Sequence, residues 1–206
     1  MYRRAKQTRQ AAWAILKKHY WNVFLFVLVA ALISGLGIIG VIIGGPVLVG
    51  AAYMMLRTIR NDDSSDLGLL FKEFDNFGRY LAIHLLALIK IFLWSLLFII
   101  PGIVRSYSLS LIYFIAKEHP ELSPGEVLKK STEMMKGHKG RLFCLHFSFI
   151  GWFLLGLLVA IVTLGFGSIA FIFLMPYVKA AEGVFYQELL DVNPEYKPAP
   201  KVEVVE

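Results

Sequence analysis

The sequence predicts an all-α membrane protein: a polytopic helical bundle of about six spans, arranged as three hairpins. Three apolar blocks, Trp21–Leu56, Tyr80–Ala116 and Leu142–Leu190, carry this reading. Each is roughly twice the ~20 residues that one helix needs to cross a bilayer core, and each is broken near its middle by Gly or Pro. Composition agrees: 57% of the 206 residues are hydrophobic and 17% are charged, against about 25% charged in soluble domains. The charges are also segregated. Of 21 Lys and Arg residues, 18 fall in Met1–Tyr20, Arg57–Arg79, Lys117–Arg141 and the tail after Leu190. The expected turns near Gly35–Gly37 and Leu164–Gly167 carry no charge. That is the positive-inside pattern, and it predicts both termini and both charged loops in the cytoplasm.

Residues 2–20 form a basic helical segment, with Trp13, Leu16 and Tyr20 on one face and Arg3, Arg4, Lys6, Arg9, Lys17 and Lys18 around it. Two placements fit: a helix lying on anionic headgroups, or a helical extension of the first span. Trp21–Ser34 reads as an uncleaved span rather than a signal peptide, since the charged lead is long and more spans follow. The first hairpin (21–56) turns at Gly35-Leu36-Gly37 and returns through Gly44-Gly45-Pro46. The third (142–190) turns at Gly165-Phe166-Gly167 and returns through Pro176. The matching Gly-to-Pro spacing, with Gly50-Ala51 against Ala180-Ala181, is a candidate internal repeat or a chance match in Gly-rich apolar sequence. Pro46 and Pro176 each free a backbone carbonyl within a span, so each marks either a packing kink or the lining of an interior site. The middle hairpin (80–116) is expected to break at Pro101-Gly102. That leaves Ile103–Ala116 as a short, tilted or partial crossing.

Between the hairpins, Arg57–Arg79 holds a polar turn at Asn61–Asp66. Leu67, Leu70, Phe71, Phe74 and Phe77 then suit a short interfacial helix. In Lys117–Arg141, Ser123-Pro124-Gly125-Glu126 is a capping box with proline at the first helical position. Leu122 and Val127 form its staple, and the helix runs over 123–136. Residues 1–192 form one transmembrane domain, and 193–206 read as a disordered cytoplasmic tail.

Four runs carry a family resemblance: Ile99-Ile100-Pro101-Gly102-Ile103-Val104-Arg105-Ser106-Tyr107-Ser108, Met135-Lys136-Gly137-His138-Lys139, Leu145 to Trp152, and Pro176-Tyr177 followed by Phe185-Tyr186. Together they resemble the uncharacterised bacterial membrane family called domain of unknown function 975. The resemblance implies a bacterial plasma membrane and a multi-span fold. It supplies no activity and no catalytic residues. The chain is more broadly similar to membrane portions attached to some glycerophosphodiester phosphodiesterases, but with no catalytic domain in this sequence that chemistry does not carry over.

Ionisable residues inside the apolar blocks are the candidate ligand-binding positions, because each costs at least ~2.5 kcal/mol at mid-bilayer. They are Lys90, Arg105, Lys179 and Glu182, the last two spaced to pair on one helix face. A functional reading makes Lys90, Arg105 and Lys179 a cationic interior for an anion such as a lipid phosphate. A structural reading has Arg105 snorkelling outward and Lys179 neutralised by Glu182. His84 and His146 read as lone imidazoles, and the single Cys144 as inert packing.

No zinc-binding helix, phosphate-cradling loop or nucleophile elbow is present. No catalytic residue, metal site or cofactor is therefore expected, and the chain is not expected to be an enzyme. Partners are membrane lipids, including anionic headgroups, and a membrane protein; the charge placement argues against nucleic acid. The expected role is an accessory or scaffold for other membrane components, with small residues Gly35, Gly37, Gly151 and Gly156 at helix contacts. The alternative is binding or transport of a lipid or small anionic solute.

Overall fold

The structure is a computed structural model, and it describes residues 2–34, 37–61, 68, 73–162 and 169–198. The helices are α1 (Ala5–Ser34), α2 (Ile38–Asn61), α3 (Phe77–Leu97), α4 (Ile99–Ser108), α5 (Ile112–Glu118), α6 (Pro124–Met134), α7 (Lys139–Phe147), α8 (Ile150–Val162) and α9 (Ile169–Val192). Short 3-10 turns occupy Glu73–Asn76 and Pro194–Tyr196. No strand occurs among the described residues. Five stretches are long and apolar enough to cross a membrane: Ala5–Ile33, Ile39–Arg60, Glu73–Leu97, Ile99–Glu118 and Lys139–Val159.

The basic N-terminal segment and the first apolar block form one helical run with a kink between them at His19. Helix α1 runs through it to Ser34, leaving helical dihedrals only at His19 (φ −124°, ψ 24°). Thr8, Ala12 and Leu16 are buried. The Trp13 ring leans edge-on against Tyr177 of α9 at 5.4 Å. The Tyr20 hydroxyl donates to the Phe173 carbonyl at 2.9 Å. That carbonyl lies in the turn that Pro176 disrupts, so Tyr20 brings an outside donor to a weakened stretch of backbone.

Helices α2 and α3 cross at the Gly44-Gly45-Pro46 run. A methyl carbon on Gly45 would lie 2.5 Å from the Tyr80 carbonyl oxygen, and one on Gly44 would lie 3.5 Å from His84 Nε2. Glycine is what lets the two helices approach so closely. Pro46 is buried at this crossing. Gly35 and Leu36 of the expected turn lie outside the described residues, as does Gly165-Phe166-Gly167. Gly37 adopts φ +62°, a left-handed value that favours glycine.

The middle hairpin reverses at Phe98, not at Pro101-Gly102. Phe98 is extended (φ −158°, ψ 148°), and Pro101 and Gly102 fall in the first turn of α4. Proline is tolerated there because first-turn N–H groups have no intrahelical acceptor, so Pro101 is not a mid-helix kink. Gly102 presses directly on Ser95 of α3 and closes the hairpin. The return arm is therefore Ile99–Glu118, 20 residues. That stretch is long and apolar enough to cross a membrane, where the expected Ile103–Ala116 was short. A turn at Leu109–Leu111 interrupts it.

The capping box of α6 forms as expected. Ser123 N donates to Glu126 Oε2 at 2.8 Å, and Glu126 N donates to Ser123 Oγ at 3.4 Å. The helix buries Val127, Leu128, Ser131 and Met134, while Lys129 and Lys136 remain exposed. Ser131 Oγ donates to the Ser108 carbonyl at 2.9 Å, tying α6 to the end of α4.

The charged ends of the helices form an interlocked polar layer. Glu73 is buried, pairs with Lys117, and accepts from the Tyr80 hydroxyl at 3.0 Å. Arg79 donates to the carbonyls of Ala116, His119 and Leu122, satisfying the open C-terminal end of α5. Glu118 pairs with Arg60 and accepts from the Tyr186 hydroxyl, and Arg141 pairs with Glu188 at 2.9 Å. Leu67, Leu70 and Phe71 of the expected interfacial helix lie outside the described residues. The start of the expected disordered tail is ordered instead: Asn193 Nδ2 donates to the Tyr2 hydroxyl at 2.9 Å, and Pro194–Tyr196 is a 3-10 turn. Residues 199–206 lie outside the described residues.

Candidate functional site: an ion pair on an apolar cavity

Helix α9 places Lys179 and Glu182 one turn apart. Lys179 Nζ donates to Glu182 Oε2 at 2.8 Å. The other carboxylate oxygen, Oε1, lies 3.1 Å from His146 Nε2 of α7. His146 Nδ1 is in turn hydrogen-bonded to the Tyr107 hydroxyl of α4 at 3.2 Å. Three helices thus converge on one carboxylate and build a chain from Tyr107 through His146 and Glu182 to Lys179. Glu182 keeps 18% of its side chain exposed and Lys179 keeps 50%. An isolated carboxylate in such surroundings would be costly, and a cation with a second hydrogen-bond partner offsets that cost.

Lys179 and Glu182 line a cavity of about 430 Å³. Its remaining wall is mostly apolar, drawn from Val23, Val27, Ala30, Ala52, Met55 and Ile91. Ser106, Ser110 and Tyr113 add hydroxyls. Tyr113 is held by a second histidine, with His84 Nδ1 2.7 Å from its hydroxyl. Small alanines from α1 and α2 keep the cavity open. An oily chamber with one ion pair on its wall has the chemistry to hold an apolar body and orient one polar group.

Of the residues singled out in the sequence, this geometry joins Lys179 and Glu182. Lys90 sits half-exposed on α3, off the cavity lining and without a polar partner among the described residues. Arg105 also lies off the lining, and its buried Nε has no hydrogen-bond partner among the described residues. Pro46 and Pro176 are buried but do not line the cavity. The two imidazoles are not lone, since each bonds a tyrosine hydroxyl. Cys144 is exposed rather than buried in packing. Sequence reading missed the Tyr107–His146–Glu182 connection. The one signal for it was that Tyr107 and His146 both lie inside runs that carry the family resemblance.

Residues 98–193 match the family model described as Protein of unknown function (DUF975). No curated protein and no solved structure matches the chain. The DUF975 stretch begins at the Phe98 reversal and contains all four runs that carry the resemblance. It also contains the whole chain of contacts from Tyr107 to Lys179. The opposing wall, contributed by α1 to α3, lies outside the DUF975 match.

Proposed function

We propose that this protein binds a small amphipathic molecule within the bacterial plasma membrane and holds it for handling there. The supporting observation is the Lys179–Glu182 pair on the wall of an otherwise apolar cavity. The apolar body rests against the alanine and methionine wall. The polar head accepts a hydrogen bond from Lys179, competing with Glu182 for its ammonium. The charge distribution supports an orientation with both termini, α6 and the ion-paired layer on the cytoplasmic side. No bond-making step is invoked.

The test is solvent extraction and native mass spectrometry of the purified protein. The parent is expected to carry a bound amphiphile. Two cavity-filling variants, Ala52→Trp and the more exposed Ala31→Phe, should lose it, and Lys179→Met should weaken it about 5–10-fold, the effect of ~1–1.4 kcal/mol. A parent that carries no amphiphile, or filled variants that retain it unchanged, would rule this reading out. A stable membrane-protein partner found in place of the amphiphile would favour the accessory role. That role draws support from Gly151, whose exposed position on α8 has open space beside it for a second helix.

A further inference from the structure

A second site lies on the opposite face of α9, away from the central cavity. At the charged end, a pocket of about 400 Å³ is lined by Arg3, Arg4, Thr8, Gly140 and Arg141, among others. Its charge is unbalanced. Arg141 pairs with Glu188, but no carboxylate contacts the side chain of Arg3 or Arg4 among the described residues. Within that pair, Arg141 Nη1 and Glu188 Oε2 are both buried without a hydrogen-bond partner among the described residues, and Glu188 also accepts from the Arg3 backbone N–H. The pocket also meets the first turn of α7, whose N-cap His138 makes no side-chain cap bond. Three arginines, two of them with no carboxylate on their side chains among the described residues, form a receptor for an oxyanion.

Next along α1 lies a larger apolar groove of about 680 Å³, lined by α1, α8 and α9. Together they form a seam along one face of α1. On α1, Ala5 lines the pocket, and Arg9 and Trp13, four and eight residues on, line the groove. On the facing wall, Arg141 and Leu145 of α7 line the pocket, and Trp152, Leu155 and Val159 of α8, beyond the turn at Ser148 and Phe149, line the groove. Arg9 lies between the two, bonded to the neutral carbonyl of Ser148, with its guanidinium 5.6 Å from the Phe149 ring centroid. The groove carries Trp13, Tyr20 and Trp152, the residue types that settle at membrane–water interfaces.

We propose that this seam binds one anionic phospholipid, its phosphate in the Arg3–Arg4–Arg141 pocket and its acyl chains in the aromatic groove. The phosphate answers the uncompensated positive charge. The groove selects a lipid over a free anion, since only a lipid fills both parts. The site is separate from the Lys179 cavity.

Native mass spectrometry of the full chain tests the proposal, with phosphatidylglycerol, phosphatidylcholine or inorganic phosphate added. One phosphatidylglycerol is expected to remain bound and phosphatidylcholine to dissociate. Arg3→Gln/Arg4→Gln should weaken phosphatidylglycerol binding about 25-fold, at about fivefold per arginine. Both side chains are exposed, so the fold is retained. Leu155→Trp, which fills the groove from its exposed side, should weaken it at least as much as one arginine. Equal retention of phosphatidylcholine, or binding indifferent to the arginine pair, overturns the proposal. So does displacement of the lipid by inorganic phosphate with no effect of Leu155→Trp, which would identify a free-phosphate site. The amphiphile in the central cavity is read out separately, through Ala31→Phe.

Discussion

At the scale of single residues, long-range polar contacts govern what each side chain can do. His138 shows this at the charged end. It lies against Tyr2, with Nε2 3.2 Å from the hydroxyl, and near Arg141. Burial and then the Arg141 charge push its pKa below the ordinary 6.5, against a weaker upward pull from Glu188. With the folded value depressed, the unfolded chain binds more protons as the pH falls below about 6.5. The contribution of His138 is therefore fully present above that pH and is lost on acidification through the folded value. Thermal unfolding in detergent between about pH 7.5 and 5.5 should show the parent losing stability on acidification, with a shallower slope in His138→Gln. Parallel slopes would show that His138 does not carry the effect. The same scale explains what sequence could reveal of the central site. Glu182 and Lys179 stand out as charges in an apolar block, three positions apart. Tyr107 and His146 are separated by 39 residues, and His146 and Glu182 by 36, so no spacing rule connects them.

At the scale of elements, the sequence located helices well and their contacts poorly. The α6 boundary was legible because Ser123 and Glu126 are chemically specific: each satisfies a backbone donor of the other. The break of the middle hairpin was misplaced because Pro and Gly look like a turn wherever they occur. Here Pro101 occupies a first turn, where it costs little, and the reversal fell to Phe98, a residue with no turn preference. The buried face of α3 was equally hard to read. Ile83 is fully buried while Ile89 is 53% exposed, yet both are isoleucine. When lipid and protein interior are both apolar, hydrophobic periodicity no longer separates the two faces. Gly102 gives this element a measurable constraint. A methyl group there would collide with the Ser95 side chain and lie 2.8 Å from the Ser95 α-carbon. Gly102→Ala should destabilise the protein by about 1–3 kcal/mol, the usual cost of overpacking. Ser95→Gly in the same chain should recover only part of that loss, because the collision with the backbone at position 95 persists. Unfolding of the two variants in detergent measures both effects, and an unchanged parent-like stability in Gly102→Ala would show that the hairpin is not closed at this point.

At the scale of the whole molecule, the segregation of charge and the path of each hairpin must agree on one orientation. From Arg79 to Leu97 helix α3 rises about 28 Å, close to the thickness of a hydrocarbon core. Its tip carries no polar group: Leu96 through Ile100 are 62–76% exposed and wholly apolar. The ion-paired layer gathers at the other end, where Arg79 meets Ala116 and His119 and where Arg60 meets Glu118. Positive charge retained on one side and uncharged turns on the other predict that Gly37 and Phe98 reach the far face together. The same pattern predicts that the exposed Lys129 and both termini lie on the near side. In a Cys144→Ala background, Gly37→Cys and Phe98→Cys should react with a membrane-impermeant maleimide on intact cells, while Lys129→Cys reacts only after permeabilisation. Phe98→Cys labelled only with a permeant reagent would mean that the α3–α4 hairpin stops inside the bilayer. Gly37→Cys and Lys129→Cys labelled from the same side would mean that charge segregation does not set the orientation. The seam and the central cavity depend on this result in different ways. The arginine pocket needs the charged end to face the anionic leaflet, whereas the Lys179 cavity needs only enclosure among helices.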